Sequence, residues 1–152
     1  MSETGGKASD TQPREAIVHG SATAFVQEIR VGPHRLASDE PASAGGTDTG
    51  PTPHELLLAA LGACTSMTIS IYARRKQWPL ESVTVKLRRT RIPAADCAEC
   101  ETKEGLVDRI EREVELHGEL SAEQRDRLLA IASKCPVHKT LTSEIDMQTR
   151  LV

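Results

Sequence analysis

Apolar and polar positions alternate most clearly in two stretches. Val83, Val85 and Leu87 are interleaved with Thr84, Lys86 and Arg88. Ile110, Val114 and Leu116 recur with the same period of two against Glu111, Glu113 and Glu115. Each pattern predicts a half-buried strand. Residues 16–29 mix Ile17, Val18, Phe25, Val26 and Ile29 with small polar residues around Gly20, which predicts one or two strands with a bend. A turn at Val31-Gly32-Pro33 and a short strand over 34–39 follow. Residues 40–50, with Pro41, Gly45, Gly46 and Gly50, read as a loop. Ile145, Met147, Thr149 and Leu151 alternate again, predicting a final strand.

Two stretches carry helical signals instead. Thr52-Pro53-His54-Glu55 combines an N-cap, a proline at the first helical position and a capping-box glutamate. The helix it opens should run to about Lys76. Residues 56–67 are apolar nearly all round, which predicts burial on most faces and a central place in the fold. Ser121 and Gln124 form a second capping box, opening a helix through Leu128, Leu129, Ile131 and Ala132. Pro136 lacks an N–H, so it should start a new short helix with Cys135 as its N-cap. The order is α+β, with no internal repeat and one heavily buried helix.

Composition narrows this picture. The 152 residues are 38% apolar and 27% charged, which suits one domain over 16–152. The polar, Gly/Ser/Thr-rich residues 1–15 read as a disordered tail without the apolar core of a secretory signal. Aromatics are 2% and the net charge is -3, so platforms for stacking bases are scarce and no nucleic-acid partner is expected. Arg74-Arg75-Lys76 and Arg88-Arg89 are offset by nearby acids and read as solvated surface. The most apolar stretch, 56–72, contains Thr65, Ser66, Thr68 and Ser70 and ends in three basic residues, so no membrane partner is expected. Four cysteines without a signal point to a reducing compartment and a cytoplasmic protein.

Among those cysteines, an N-cap position at the positive end of a helix dipole favours a thiolate at Cys135. A small buried hydrophobe is the alternative. Cys64, in mid-helix among Gly62, Ala63, Thr65 and Ser66, reads by the same reasoning as core packing, its small neighbours permitting close approach of another backbone or a substrate. Cys97-x-x-Cys100 with Cys135-x-x-His138 makes a four-ligand set, so a structural zinc domain is a further alternative. His19, His34 and His117 lie on strand-like segments and read as solvated. No Ser/His/Asp set, phosphate-binding loop or dinucleotide pattern is present.

Two segments carry a resemblance. Residues 50–67, GPTPHELLLAALGACTSM, and 134–141, KCPVHKTL, resemble the two cysteine motifs of the OsmC/Ohr family (osmotically inducible protein C-like and organic hydroperoxide resistance proteins). By element order the similarity runs over about 16–152. It implies an OsmC-like fold: antiparallel sheets wrapped around a buried central helix, in an intertwined homodimer with sites at the subunit interface. It also implies thiol-dependent peroxidase chemistry without a cofactor. Cys64 would attack an organic hydroperoxide, become a sulfenic acid and condense with Cys135, and a dithiol such as a lipoyl group would reduce the disulfide. A pocket lined by Leu57, Leu61 and Met67 would favour an alkyl tail.

The motif is incomplete at one point. The family holds an activating Arg with a Glu ten residues before the first cysteine, which is His54 here. Glu55 is one residue, or about 100° of helix, away. Glu55 and Arg35 are the candidates for the activating pair, with Arg30 nearby. The departure opens a second function, a non-catalytic thiol sensor or small-molecule-binding module on the same fold.

Overall fold

The computed structural model describes residues 14–152, and most of the expected 1–15 tail lies outside the described residues. The chain forms two compact units, one ending at Pro53 and one beginning at His54.

The first unit is a three-stranded antiparallel sheet in the order β1 (Ala16–Gly20), β2 (Gln27–Val31), β3 (His34–Ser38). Val18 faces Ile29, and Ile29 faces Leu36. Gly32, at φ 57°, makes the tight β2–β3 turn, a backbone region in which glycine has no Cβ penalty. The loop that follows is tied to one carboxylate. Asp39 accepts from the N–H of Glu40 and from both the N–H and hydroxyl groups of Thr47 and Thr49, at 2.6–3.2 Å.

The second unit is built on α1 (Pro53–Lys76), whose bounds match the sequence signals. Gln77 adopts a left-handed conformation and the N–H of Trp78 bonds back to Ala73, which closes the helix end. A long hairpin follows: β4 (Leu80–Pro93) pairs antiparallel with β5 (Leu106–Gly118) as a two-stranded sheet. Its outer face carries Lys86–Glu115 and Arg88–Glu113 ion pairs, which explains the balanced charges seen in the sequence. The capping box at Ser121 forms in full and starts α2 (Ala122–Ala132). Cys135 caps α3 (Pro136–Leu141) with Pro136 at its start.

The core comprises Ile69 and Ala73 of α1 and Leu128 and Ala132 of α2, closed by Val83, Val114, Leu116 and Trp78. Two expectations are corrected. The first concerns α1, which is buried along one stripe, Leu61, Thr65, Ile69 and Ala73, four residues apart, with Gly62 beside it. The other faces are open, with Met67 64% and Ile71 49% exposed, because this unit supplies helix and sheet partners for one side only. Among the described residues, α1 is the one helix long and apolar enough to cross a membrane, yet here it carries one wall of the core. The second concerns the final strand over 145–151, which does not form: its backbone has no sheet partner, and Ile145, Met147 and Leu151 are exposed. Alternation supplies a face to bury but not the neighbouring edge that a strand requires.

Candidate functional site

Cys64 and Cys135 come together from opposite ends of the second unit. Cys64 projects from the middle of α1, half-buried; Cys135, fully buried, sits where α2 hands over to α3. Two residues before Cys64, Gly62 lets the side chain of Leu87 from β4 rest against α1; a Cβ there would lie 2.8 Å from Leu87 Cδ1. Small residues beside Cys64 thus admit a neighbouring element, as expected.

The Cys135 sulfur is the more heavily partnered. The His138 N–H donates to it at 3.2 Å, and the Thr65 hydroxyl lies 3.9 Å away. That hydroxyl has one proton, drawn mainly to the Leu61 carbonyl at 2.7 Å, while its oxygen accepts from Arg112 Nη1 at 2.9 Å. Arg112 Nη2 lies 3.4 Å from His138 Nδ1, a contact that makes Nδ1 the acceptor and leaves the imidazole neutral. Burial pushes the Cys135 thiol up, but the His138 N–H, the Cys64 and Thr65 side chains and the Arg112 charge outweigh it, so its pKa falls below the ordinary cysteine value. Burial, and then Arg112, lower the pKa of His138.

A cavity of about 620 Å³ opens beside these groups. Leu57, Leu61, Ile110 and Leu141 supply its apolar wall; His54, Arg112, His138 and the Arg89–Asp108 ion pair, 2.7 Å long, supply its polar one. Leu57 and Leu61 were expected there, whereas Met67 is not a lining residue.

Arg112 is the functional residue that the sequence reading passed over. The signal was present: Arg112 falls in the apolar register of Ile110, Val114 and Leu116, where a charge on the inward face of a strand calls for a reason. Arg89 breaks the Val83, Val85, Leu87 register in the same way. Of the expected activating pair, Arg35 lies on β3 at 3.9 Å from Glu28, and Glu55 lies in the exposed first turn of α1. His54, at the family's Glu position, lines the cavity.

The zinc set does not assemble. Cys97 and Cys100 are joined in a disulfide beyond the end of β4, Cys135 is committed to the site just described, and among the described residues no three His, Cys, Asp or Glu groups converge as ligands.

An α+β chain with two free, adjacent cysteines beside a half-buried arginine defines a thiol-site protein of OsmC-type architecture. The chain belongs to the OsmC-like protein family, whose model matches residues 46–150. No curated protein sequence matches it. Its fold is similar to an OsmC-like protein from Mycoplasma pneumoniae, with TM-score 0.67 and 20% identity over 86% of this chain and 88% of that one. It is also similar to an organic hydroperoxide resistance protein from Legionella pneumophila (0.64, 21%, 90% and 93%). A third, the organic hydroperoxide resistance protein OhrB of Bacillus subtilis, gives 0.60 and 18% over 89% and 94%.

Proposed function

We propose that this protein is a thiol peroxidase that reduces organic hydroperoxides through a Cys64–Cys135 disulfide cycle. The observation that carries the reading is the pair of free thiols beside Thr65, Arg112 and His138, the last two of which also line a cavity with an apolar wall. Half-buried Cys64 is the sulfur open to a substrate. It takes the distal peroxide oxygen, and Cys135 closes the disulfide, releasing water. Leu57, Leu61 and Ile110 favour an alkyl tail, since each buried methylene contributes about 0.8 kcal/mol. A dithiol of the lipoyl kind, in a cytoplasmic setting, completes the cycle by thiol–disulfide exchange.

Two further parts of the proposal concern assembly and activation. A homodimer accounts for the exposed apolar faces of α1 and for the unpaired 145–151 segment, which a second copy would cover. The assignment of Arg35 and Glu55 to thiol activation rests on the family resemblance, and Arg112 is the cation that lies beside the thiols.

His54 in place of the family's Glu favours a second reading, a thiol sensor without turnover. Steady-state reduction of cumene hydroperoxide and hydrogen peroxide with a dihydrolipoyl donor separates the two. Turnover with marked preference for cumene hydroperoxide supports the enzyme; a single slow oxidation, equal for both peroxides, supports the sensor.

A further inference from the structure

Cys97 and Cys100 take no part in the site described above. Their disulfide lies in the connection between β4 and β5, which begins six residues, about 20 Å of strand, beyond Arg112. A structural staple accounts poorly for it. In the chain-entropy view a disulfide stabilises more the longer the loop it closes, and only Ala98 and Glu99 lie between these cysteines. The ends of the connection are already held without it: Pro93 pairs with Leu106, and the Ala94 N–H donates to the Gly105 carbonyl at 2.8 Å. The turn, too, is made by other bonds. The Cys97 N–H donates to the Ala94 carbonyl at 3.1 Å, the Cys100 N–H to the Cys97 carbonyl at 3.4 Å, and Lys103 Nζ to the Cys100 carbonyl at 2.8 Å. None of these bonds uses a sulfur. Breaking the S–S bond therefore leaves them in place and keeps the two thiols side by side, ready to close again. The pair is also open to attack: both cysteines are half-buried, and residues 98, 99 and 101–104 around them are exposed. Within 96–104 the exposed carboxylates of Asp96, Glu99, Glu101 and Glu104 stand against the single ammonium of Lys103. That negative field slows an anionic thiol and spares a neutral one.

We propose that Cys97 and Cys100 form a second redox site, a reversible dithiol–disulfide couple that exchanges electron pairs with a dithiol whose reacting end is neutral or cationic. The couple stands whether or not Cys64 and Cys135 turn over a hydroperoxide. A thiolate of the incoming dithiol attacks one sulfur of the pair; a mixed disulfide forms, the Cys97–Cys100 bond breaks, and the released sulfur takes a proton. The second thiolate of the reductant then attacks its own sulfur in the mixed disulfide. That step closes the reductant's disulfide and releases the other cysteine, which is protonated in turn. Two electrons pass to the protein, the dithiol is oxidised to its disulfide, and its two protons are balanced by those taken up on Cys97 and Cys100. The reverse exchange, with a disulfide of the same class as oxidant, restores the bond.

The test equilibrates the folded full-length protein in mixtures of lipoamide and dihydrolipoamide, alkylates free thiols, and reads the peptide carrying Cys97 and Cys100 by mass spectrometry, apart from those carrying Cys64 and Cys135. The expected result is a reversible passage of that peptide between disulfide and doubly alkylated dithiol, with the same midpoint from either direction and unchanged far-ultraviolet circular dichroism. A bond that stays closed under excess dihydrolipoamide and opens only in denaturant overturns the proposal in favour of a staple. Cysteines that are alkylated at every ratio overturn it as well, because no couple then exists. The charge preference is read from rates. At low ionic strength dihydrolipoamide should open the bond about twofold or more faster than dihydrolipoate, the same dithiol with one more negative charge. Salt at about 1 M, where screening acts within about 3 Å, should close that gap, and E99Q/E101Q should narrow it at low salt. Equal rates at low salt overturn the preference for a neutral or cationic dithiol.

Discussion

At the scale of single residues, unusual chemistry follows from what converges on a side chain. Asp39 illustrates this away from the thiols. The Thr47 hydroxyl, opposed by burial and joined by the Glu40 and Thr49 donors, holds its carboxyl well below the usual carboxylate range. A depressed folded-state pKa contributes stability that is present above the unfolded value, here 3.8, and is lost as pH falls below it. Denaturant unfolding followed from neutral pH to about pH 3 should therefore show a loss of stability that Asp39→Asn flattens; an identical acid slope in the variant would contradict the assignment. Arg112 teaches the complementary lesson. Its identity was plain in the sequence, but its meaning came from the strand register, which placed it among Ile110, Val114 and Leu116 on the inward face. Its partners, Thr65 and His138, lie 47 and 26 residues away along the chain, separations that local periodicity does not reach.

Elements were legible where the signal is local. Caps and prolines fix a helix start through bonds made within four residues, so α1, α2 and α3 begin where Pro53, Ser121 and Pro136 place them. Ser121→Ala removes the α2 capping box, and chemical denaturation should register a loss of about 1 kcal/mol. Burial of Ile69 depends on packing between elements, and its truncation to Ala should cost about 2–5 kcal/mol by the same measurement. A loss below 1 kcal/mol would mean that the α1–α2 contact is not the core. Strand formation at 145–151 was the failure at this scale. Period-two alternation specifies which side chains share a face, whereas hydrogen-bonding partners come from another segment or another chain.

For the whole molecule, the apolar character of α1 was read correctly and its covering was not. Leu61, Thr65, Ile69 and Ala73, with Gly62 beside them, are the buried residues of the helix, so its exposed apolar surface is explained by the proposed second copy. Light scattering should give twice the chain mass for the native protein. Met67→Glu, at a position 64% exposed in the single chain, should shift that mass toward the monomer while leaving far-ultraviolet helicity in place. A native monomer would leave the apolar faces of α1 without an occupant. The two-cysteine site was legible as a pair of motifs because each motif is local; its electrostatics were not, because they arise where α1, β5 and α3 meet.

Cysteine mapping by mass spectrometry after brief mixing of the reduced protein with equimolar cumene hydroperoxide, with hydrogen peroxide in parallel, tests the central claim most directly. The account predicts a Cys64–Cys135 disulfide that forms much faster with the organic peroxide. Oxidation that is slow with both peroxides, or a new bond confined to Cys97 and Cys100, would contradict it.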